Sequence, residues 1–201
     1  MFDDSAKLAT LVGSRLCHDL VSPIGAIRNG LELVALSGAG GGSEEMTLIE
    51  DSCASAAARI AFFRIAFGSA KGEQMIGRRE ISKLLAEYCR GGRIMPDWQP
   101  TADTPRPTVQ LVLLGWLCCE SALPQGGTIT VSTDGTTWRL SAAGPRLQLE
   151  PDVWAQLSTT ALAQVITPAR VQFACLSMLA AVAGRQLEVA DQPGAVTLLI
   201  R

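Results

Sequence analysis

Residues 16–23 read Leu16-Cys17-His18-Asp19-Leu20-Val21-Ser22-Pro23, and they hold the one histidine of a 201-residue chain. Around them Gly13, Leu16, Leu20, Ile24, Ile27, Leu31 and Val34 recur at spacings of three and four, the period of an amphipathic helix. The pattern predicts a helix over 8–36. Pro23 has no N–H, so it should kink the helix or loosen its hydrogen bonding one turn earlier, at Asp19. At about 100° per residue, His18 falls nearly opposite the Leu16/Leu20/Ile27 stripe, with Ser14, Ser22, Gly25 and Asn29 on the same outer face. A lone histidine is often a core residue with both nitrogens satisfied; this placement predicts an exposed ring. Small flanking residues let a partner approach it closely. Asp19 can accept a hydrogen bond from one ring nitrogen, which fixes the tautomer and leaves the other nitrogen as a nucleophile. A neutral imidazole of this kind can take a phosphoryl group through a labile N–P bond. The competing reading is an ordinary surface histidine.

Working outward, Ser37-Gly38-Ala39-Gly40-Gly41-Gly42-Ser43 is a glycine-rich turn. Ser43 can cap a following helix, and Glu44 and Glu45 suit its positive end. That helix carries a seam of Met46, Ile49, Cys53, Ala56, Ile60, Phe63 and Phe67, alternating three and four as in a bundle. Residues 5–70 therefore read as a long helical hairpin with too much apolar stripe to stand alone. A symmetric homodimer would turn two hairpins into a four-helix bundle. The alternative is packing against the rest of the same chain.

Residues 68–74, polar and glycine-containing, read as a linker, after which the pattern changes. Helical patterns cover 80–90 and 108–121, with a short extended segment over 94–99 between them. Alternating β-branched residues over 128–132 lead through Asp134-Gly135, a hairpin turn signal, into a strand at 138–140. Two stretches opened by proline, 151–165 and 168–183, read as helices. Segments 186–190 and 195–201 close a hairpin around Pro193-Gly194. This order predicts an α+β two-layer sandwich, hence a helical-hairpin domain over 1–72 and a sandwich domain over 73–201. Trp116, Trp138 and Trp154 are expected in the core.

Composition narrows the classes. Apolar residues make up 48%, charged residues 18%, and the formal net charge is -2, which describes a globular chain without the basic face of a nucleic-acid binder. The start, Met1-Phe2-Asp3-Asp4, lacks the basic flank and apolar stretch of a signal peptide. The longest apolar run, 111–119, falls far short of the ~20 residues of a membrane span, so a cytoplasmic location is expected. The six cysteines show no C-x-x-C spacing and read as reduced, mostly buried small apolar residues. With one histidine, no metal site is expected.

The string Ser14-Arg15-Leu16-Cys17-His18-Asp19-Leu20-Val21-Ser22-Pro23-Ile24-Gly25-Ala26-Ile27-Arg28-Asn29-Gly30-Leu31-Glu32-Leu33 resembles the histidine box of the ChpT family, alphaproteobacterial histidine phosphotransferases. More broadly it is similar to the dimerisation domain of sensor histidine kinases, where an acidic residue follows the phosphorylated histidine. The resemblance covers essentially the whole chain and implies that the second domain is a degenerate version of the kinase ATP-binding (Bergerat) fold. Kinases of that fold hold Mg²⁺-ATP with an asparagine-bearing helix, an Asp-x-Gly-x-Gly turn and a glycine-rich phosphate loop. The comparable helix, 111–120, offers Gly115 and Cys119 in place of asparagines. The comparable turn is Ala142-Ala143-Gly144-Pro145-Arg146, with Ala142 where the adenine-binding aspartate would stand. Segment 160–168, in the place of the phosphate loop, has no glycine, although backbone cradling of phosphate generally exploits it. No nucleotide or other cofactor is therefore expected on this chain.

The implied activity is transfer of a phosphoryl group between receiver-domain aspartates through His18, with Asp19 orienting or deprotonating the ring. Mg²⁺ and a lysine would come from the receiver. The implied donor is the receiver of a hybrid sensor kinase, and the implied acceptors are response regulators of the CtrA and CpdR type, which control cell cycle or motility. Arg15, Val21 and Asn29 are expected to form a docking rim. Ser22 stands one turn past the histidine, where related kinases carry a polar residue, or is merely a helix residue near Pro23. Leu11 is expected to be an exposed apolar contact for a partner, the alternative being packing against the second domain. The competing functions are an ATP-dependent histidine kinase with an atypical pocket and a dimeric adaptor that docks receivers without transferring phosphate.

Overall fold

The computed structural model describes residues 2–36, 43–69, 74–192 and 194–201. The glycine-rich turn at 37–42, the Ser43 cap, much of the expected linker and Pro193 lie outside the described residues or side chains. Helix α1 runs Phe2–Leu36, straight through Pro23. Because proline has no amide hydrogen, the Asp19 carbonyl loses its partner one turn on. Helix α2 runs Ser43–Ala66 and carries Glu44 and Glu45 in its first turn and Arg64 in its last, charges that complement the helix dipole. At the far end of the hairpin the helices approach closely. A Cβ on Gly30 would sit 2.6 Å from Ile49 Cγ1, so glycine sets their separation there.

The rest of the chain builds a sheet with helices. In order come β1 (Met75–Ile76), α3 (Arg78–Tyr88), β2 (Ile94–Trp98), β3 (Thr104–Pro105), α4 (Arg106–Ser121), β4 (Gly127–Thr133), β5 (Trp138–Ala143), α5 (Pro151–Trp154), α6 (Val171–Val182), β6 (Leu187–Gln192) and β7 (Ala195–Ile200). Five strands form one sheet in the order β2-β4-β5-β7-β6, and β1 and β3 pair separately. Only β2–β4 is parallel; the other neighbours are antiparallel. Register puts Val131 opposite Leu140 and Leu140 opposite Leu198, and Ile129 opposite Ala142 and Ala142 opposite Val196. All are buried. The other face carries Thr130, Ser141 and Thr197 in one row. One face of period-two alternation thus feeds the core, and helices cover it. A helical N-terminal region followed by an α/β sheet region is the architecture.

Two details fix how the parts join. Gly126, at φ +87°, lets its loop lie against β2; a Cβ there would be 2.4 Å from the Arg93 carbonyl oxygen. At the exit of the hairpin, Gln110 Nε2 donates to the carbonyls of Ala66 and Gly68, at 3.2 and 2.6 Å. Arg106 donates to those of Arg64 and Ser69. The last carbonyls of α2, which have no partner within the helix, are met by side chains of α4. Phe62, Phe63, Ile65 and Ala66 belong to the same apolar core as the sheet, so the core runs across the hairpin's exit.

Three expectations need correction. The expected helix over 151–165 stops early: α5 ends at Trp154, and a 3-10 turn covers Ala155–Ser158. The cause is Gln156, buried, whose amide donates to the carbonyls of Thr159 and Ala161 and accepts from the Ala163 amide at 2.9 Å. That side chain replaces the helical ladder. The cysteines are free but not mostly buried: Cys118, Cys119 and Cys175 are buried, Cys89 is half-buried, and Cys17 and Cys53 are exposed. Burial pushes the Cys119 and Cys175 thiols up to about 12, which keeps them unreactive. The α2 seam is split, with Ala56 and Phe63 buried but Met46 and Ile60 exposed. The tryptophans lie in the core as expected, and Trp98 joins them. Among the described residues no helix is long and apolar enough to cross a membrane.

Candidate functional site

His18 stands on the open side of α1, its side chain 86% exposed, as the helical wheel predicts. Its Nδ1 lies 3.1 Å from Asp19 Oδ1. With Asp19 as carboxylate, Nδ1 carries the hydrogen and donates it, and the lone pair is left on Nε2. Asp19 is only 10% exposed, and its second oxygen accepts from Arg15 Nε at 2.6 Å. Both carboxylate oxygens are therefore taken, one by the ring and one by a guanidinium one turn earlier. An exposed nucleophilic nitrogen whose partner atom is fixed suits attack on a group delivered by another molecule.

Arg15 differs from the rim residue its position suggests. Its side chain is 17% exposed and turns inward, where Nη1 donates to the Ala169 carbonyl oxygen at 2.7 Å. Leu11 likewise is half-buried and packs on the core; it follows the alternative of contact within the chain. Val21 and Ser22 are exposed within about one turn of His18, and Asn29 is exposed about three turns further along α1.

Sequence reading missed the groups behind this cluster. Tyr88 of α3 donates to Glu120 Oε2 at 3.1 Å and stacks on Phe62 with ring centroids 4.1 Å apart. The Arg59 guanidinium lies 5.9 Å above the Tyr88 ring. Desolvation pushes the Glu120 carboxyl above its ordinary range against the Tyr88 hydrogen bond and the charges of Arg15 and Arg59, which pull it down. Glu120 sits at the end of a helix whose middle, Leu111 to Cys119, is apolar, and no spacing rule connects it to residues 15, 59 and 88. Among the described residues no group of acidic, histidine or cysteine side chains could hold a metal ion.

An apolar groove lies beside the site. Val12, Leu16 and Leu20 of α1 face Ile60, Phe63 and Phe67 across it. Further along the hairpin Ile24, Leu31, Leu33, Leu36, Met46 and Leu48 are also exposed.

Comparison with known proteins places the chain in a family. The profile described as the histidine phosphotransferase C-terminal domain matches residues 78–194. The chain is 32% identical over 188 residues to the protein phosphotransferase ChpT of Brucella abortus (strain 2308), covering 90% of this chain and 89% of that protein. A solved bacterial phosphotransferase superposes with a TM-score of 0.80 at 30% identity, covering 98% of this chain and 96% of the other. The chain belongs to the ChpT family of histidine phosphotransferases.

Proposed function

We propose that this protein works in a two-component phosphorelay, where His18 accepts a phosphoryl group from one receiver domain's aspartate and passes it to another's, without binding ATP. The observation that carries the reading is the exposed His18 ring with Nδ1 held by Asp19. In the accepting step the Nε2 lone pair attacks phosphorus, an N–P bond forms, the aspartyl P–O bond breaks, and the donor regains its carboxylate. The Nδ1 hydrogen stays shared with Asp19, which balances the charge gained by the ring. Mg²⁺ and lysine on the receiver would carry most of the charge on the moving phosphoryl group, so this chain's task is in-line placement.

Packing at the places of the nucleotide-binding residues supports the absence of ATP. A Cβ on Gly115 would meet Leu198 at 3.0 Å and Leu140 at 3.3 Å, and Cys119 and Ala142 are fully buried. Apolar contacts stand where a nucleotide would need polar ones. The sheet region is on this reading a degenerate Bergerat fold, domain 73–201 beside a hairpin domain 1–72. The uncovered apolar faces of α1 and α2 support a homodimer closing a four-helix bundle. Val21, Ser22 and Asn29 would form the docking rim. A hybrid sensor kinase's receiver would be the donor and CtrA- or CpdR-like regulators the acceptors, in the cytoplasm.

The test is transfer from a radiolabelled, phosphorylated receiver without ATP. Label should appear on the wild type and be absent from His18→Ala. Label persisting on His18→Ala would end the reading, and calorimetric binding of nucleotide would turn it toward a kinase.

A further inference from the structure

The Arg15 guanidinium is used at both ends. Nε meets Asp19 Oδ2 at 2.6 Å, and Nη1 meets the Ala169 carbonyl oxygen at 2.7 Å, across 154 positions of sequence. Ala169 belongs to the 3-10 turn Pro168–Arg170 that leads into α6. That turn is itself held. Arg170 Nε donates to Glu150 at 2.9 Å, and Arg170 Nη2 reaches the same oxygen. Val171 and Phe173, which follow, are fully buried in the core. The carbonyl that receives Arg15 is therefore placed by the packing of the sheet region.

Asp19 alone would hold His18 loosely. A carboxylate on a helix can turn about its terminal torsion, offering either oxygen to the ring or turning both to water. Binding one oxygen to a planar guanidinium that is anchored at its other end leaves only Oδ1 for Nδ1. Other charged groups act on the same cluster. Glu120 interacts electrostatically with Arg15, Arg59 and Asp19, and Tyr88 with Arg15, Arg59 and Glu120. Arg15 lowers and Asp19 raises the Glu120 carboxyl, so the guanidinium acts on two acidic groups at once.

We propose that Arg15 is a positioning residue that transmits the place of the Ala169 carbonyl to Asp19 and so holds His18 in the tautomer with Nε2 free. It rests on the phosphotransfer reading and extends it. A region that lends no side chain to the histidine ring still orients that ring. Lysine cannot substitute, because a single ammonium lacks the planar fork that spans two acceptors in fixed directions.

The chain's single histidine makes the test direct. In ¹⁵N-histidine-labelled protein above the titration of the ring, the imidazole nitrogen shifts should report the Nδ1–H form in the wild type. In Arg15→Gln they should move toward a mixture of tautomers. Single-turnover transfer from a phosphorylated receiver should fall about 10- to 100-fold at saturation, the range of lost orientation and proton placement, with the half-saturating receiver concentration unchanged. Arg15→Lys, which keeps the charge and most of the stem, should show the same losses and serves should Arg15→Gln not fold. Wild-type nitrogen shifts in both variants, with only the half-saturating concentration raised, would make Arg15 a docking residue and overturn the proposal. Should no receiver phosphorylate the wild type, the phosphotransfer reading fails, while the imidazole shifts still decide whether Arg15 sets the tautomer.

Discussion

The hairpin and the sheet region treat apolar side chains differently. In the sheet region Leu140, Leu198, Phe173 and Trp116 are fully enclosed by their own chain. In the hairpin Val21, Ile24, Leu31, Leu36, Met46 and Ile60 remain exposed. Isolated exposed residues such as Val182 and Val189 in the sheet region are ordinary, whereas exposed apolar side chains gathered on two adjacent helices are the kind of surface that partner chains use. The sheet region encloses its apolar side chains, and the hairpin leaves many of its own in the open.

This contrast predicts different consequences for mutations of similar chemistry. The largest effect is expected inside the sheet region. Leu140→Ala, which empties a fully buried site, should cost about 2–5 kcal/mol in urea unfolding, and a loss below 1 kcal/mol would mean that this core is less complete than described. Next comes the hairpin face. Ile60→Glu should weaken self-association about 30- to 100-fold, or about 2–3 kcal/mol, by sedimentation equilibrium. Val182→Glu, more exposed still but isolated, should leave association as it was. Equal effects of the two, or none, would erase the contrast.

A smaller effect is expected where the two regions meet. Burial raises the Glu120 carboxyl above its ordinary 4.5. A raised carboxyl binds its proton more readily when folded, so the folded state is favoured below the ordinary value and loses that advantage as pH rises through the raised one. Glu120→Gln should therefore melt a few degrees higher than wild type at pH 8, with the difference shrinking toward pH 4; a constant difference would remove this assignment. The smallest effect belongs to the exposed β4–β5 turn. Asp134 Oδ1 accepts from the amides of Thr136 and Thr137 at 2.9 and 2.8 Å, which holds its carboxyl down to about 2. Its contribution is present above the unfolded value near 3.8 and fades as pH falls through about 2. Asp134→Ala should lower the melting temperature slightly at pH 7 and by clearly less at pH 2.

What the sequence disclosed follows the range of the interactions. His18's exposure, the hairpin helices, α4 and the alternating strands each come from a local period, and each is found. The stop after Trp154 is set by the Gln156 amide bonding to the chain around it, which a proline-started apolar pattern does not display. The β1–β3 pair is two residues long and too short for any alternation. Asp19's bond to His18 was legible because the two are adjacent. Arg15's inward turn was not, since its second acceptor is a backbone carbonyl 154 residues away and a carbonyl leaves no trace in residue identity. Leu11 faced the same difficulty: a wheel tells which side of a helix it occupies, not what the remainder of the chain lays against that side.

The bonds from Gln110 and Arg106 to the last carbonyls of α2 have a kinetic meaning. A helix end that faces water opens one turn at a time, and its amides trade hydrogen for deuterium through that fraying. The end of α2 has its carbonyls tied to the first turns of α4, so it cannot open without disturbing a helix of the core. Its amides near Phe63 and Phe67 should exchange on the slow clock of α4.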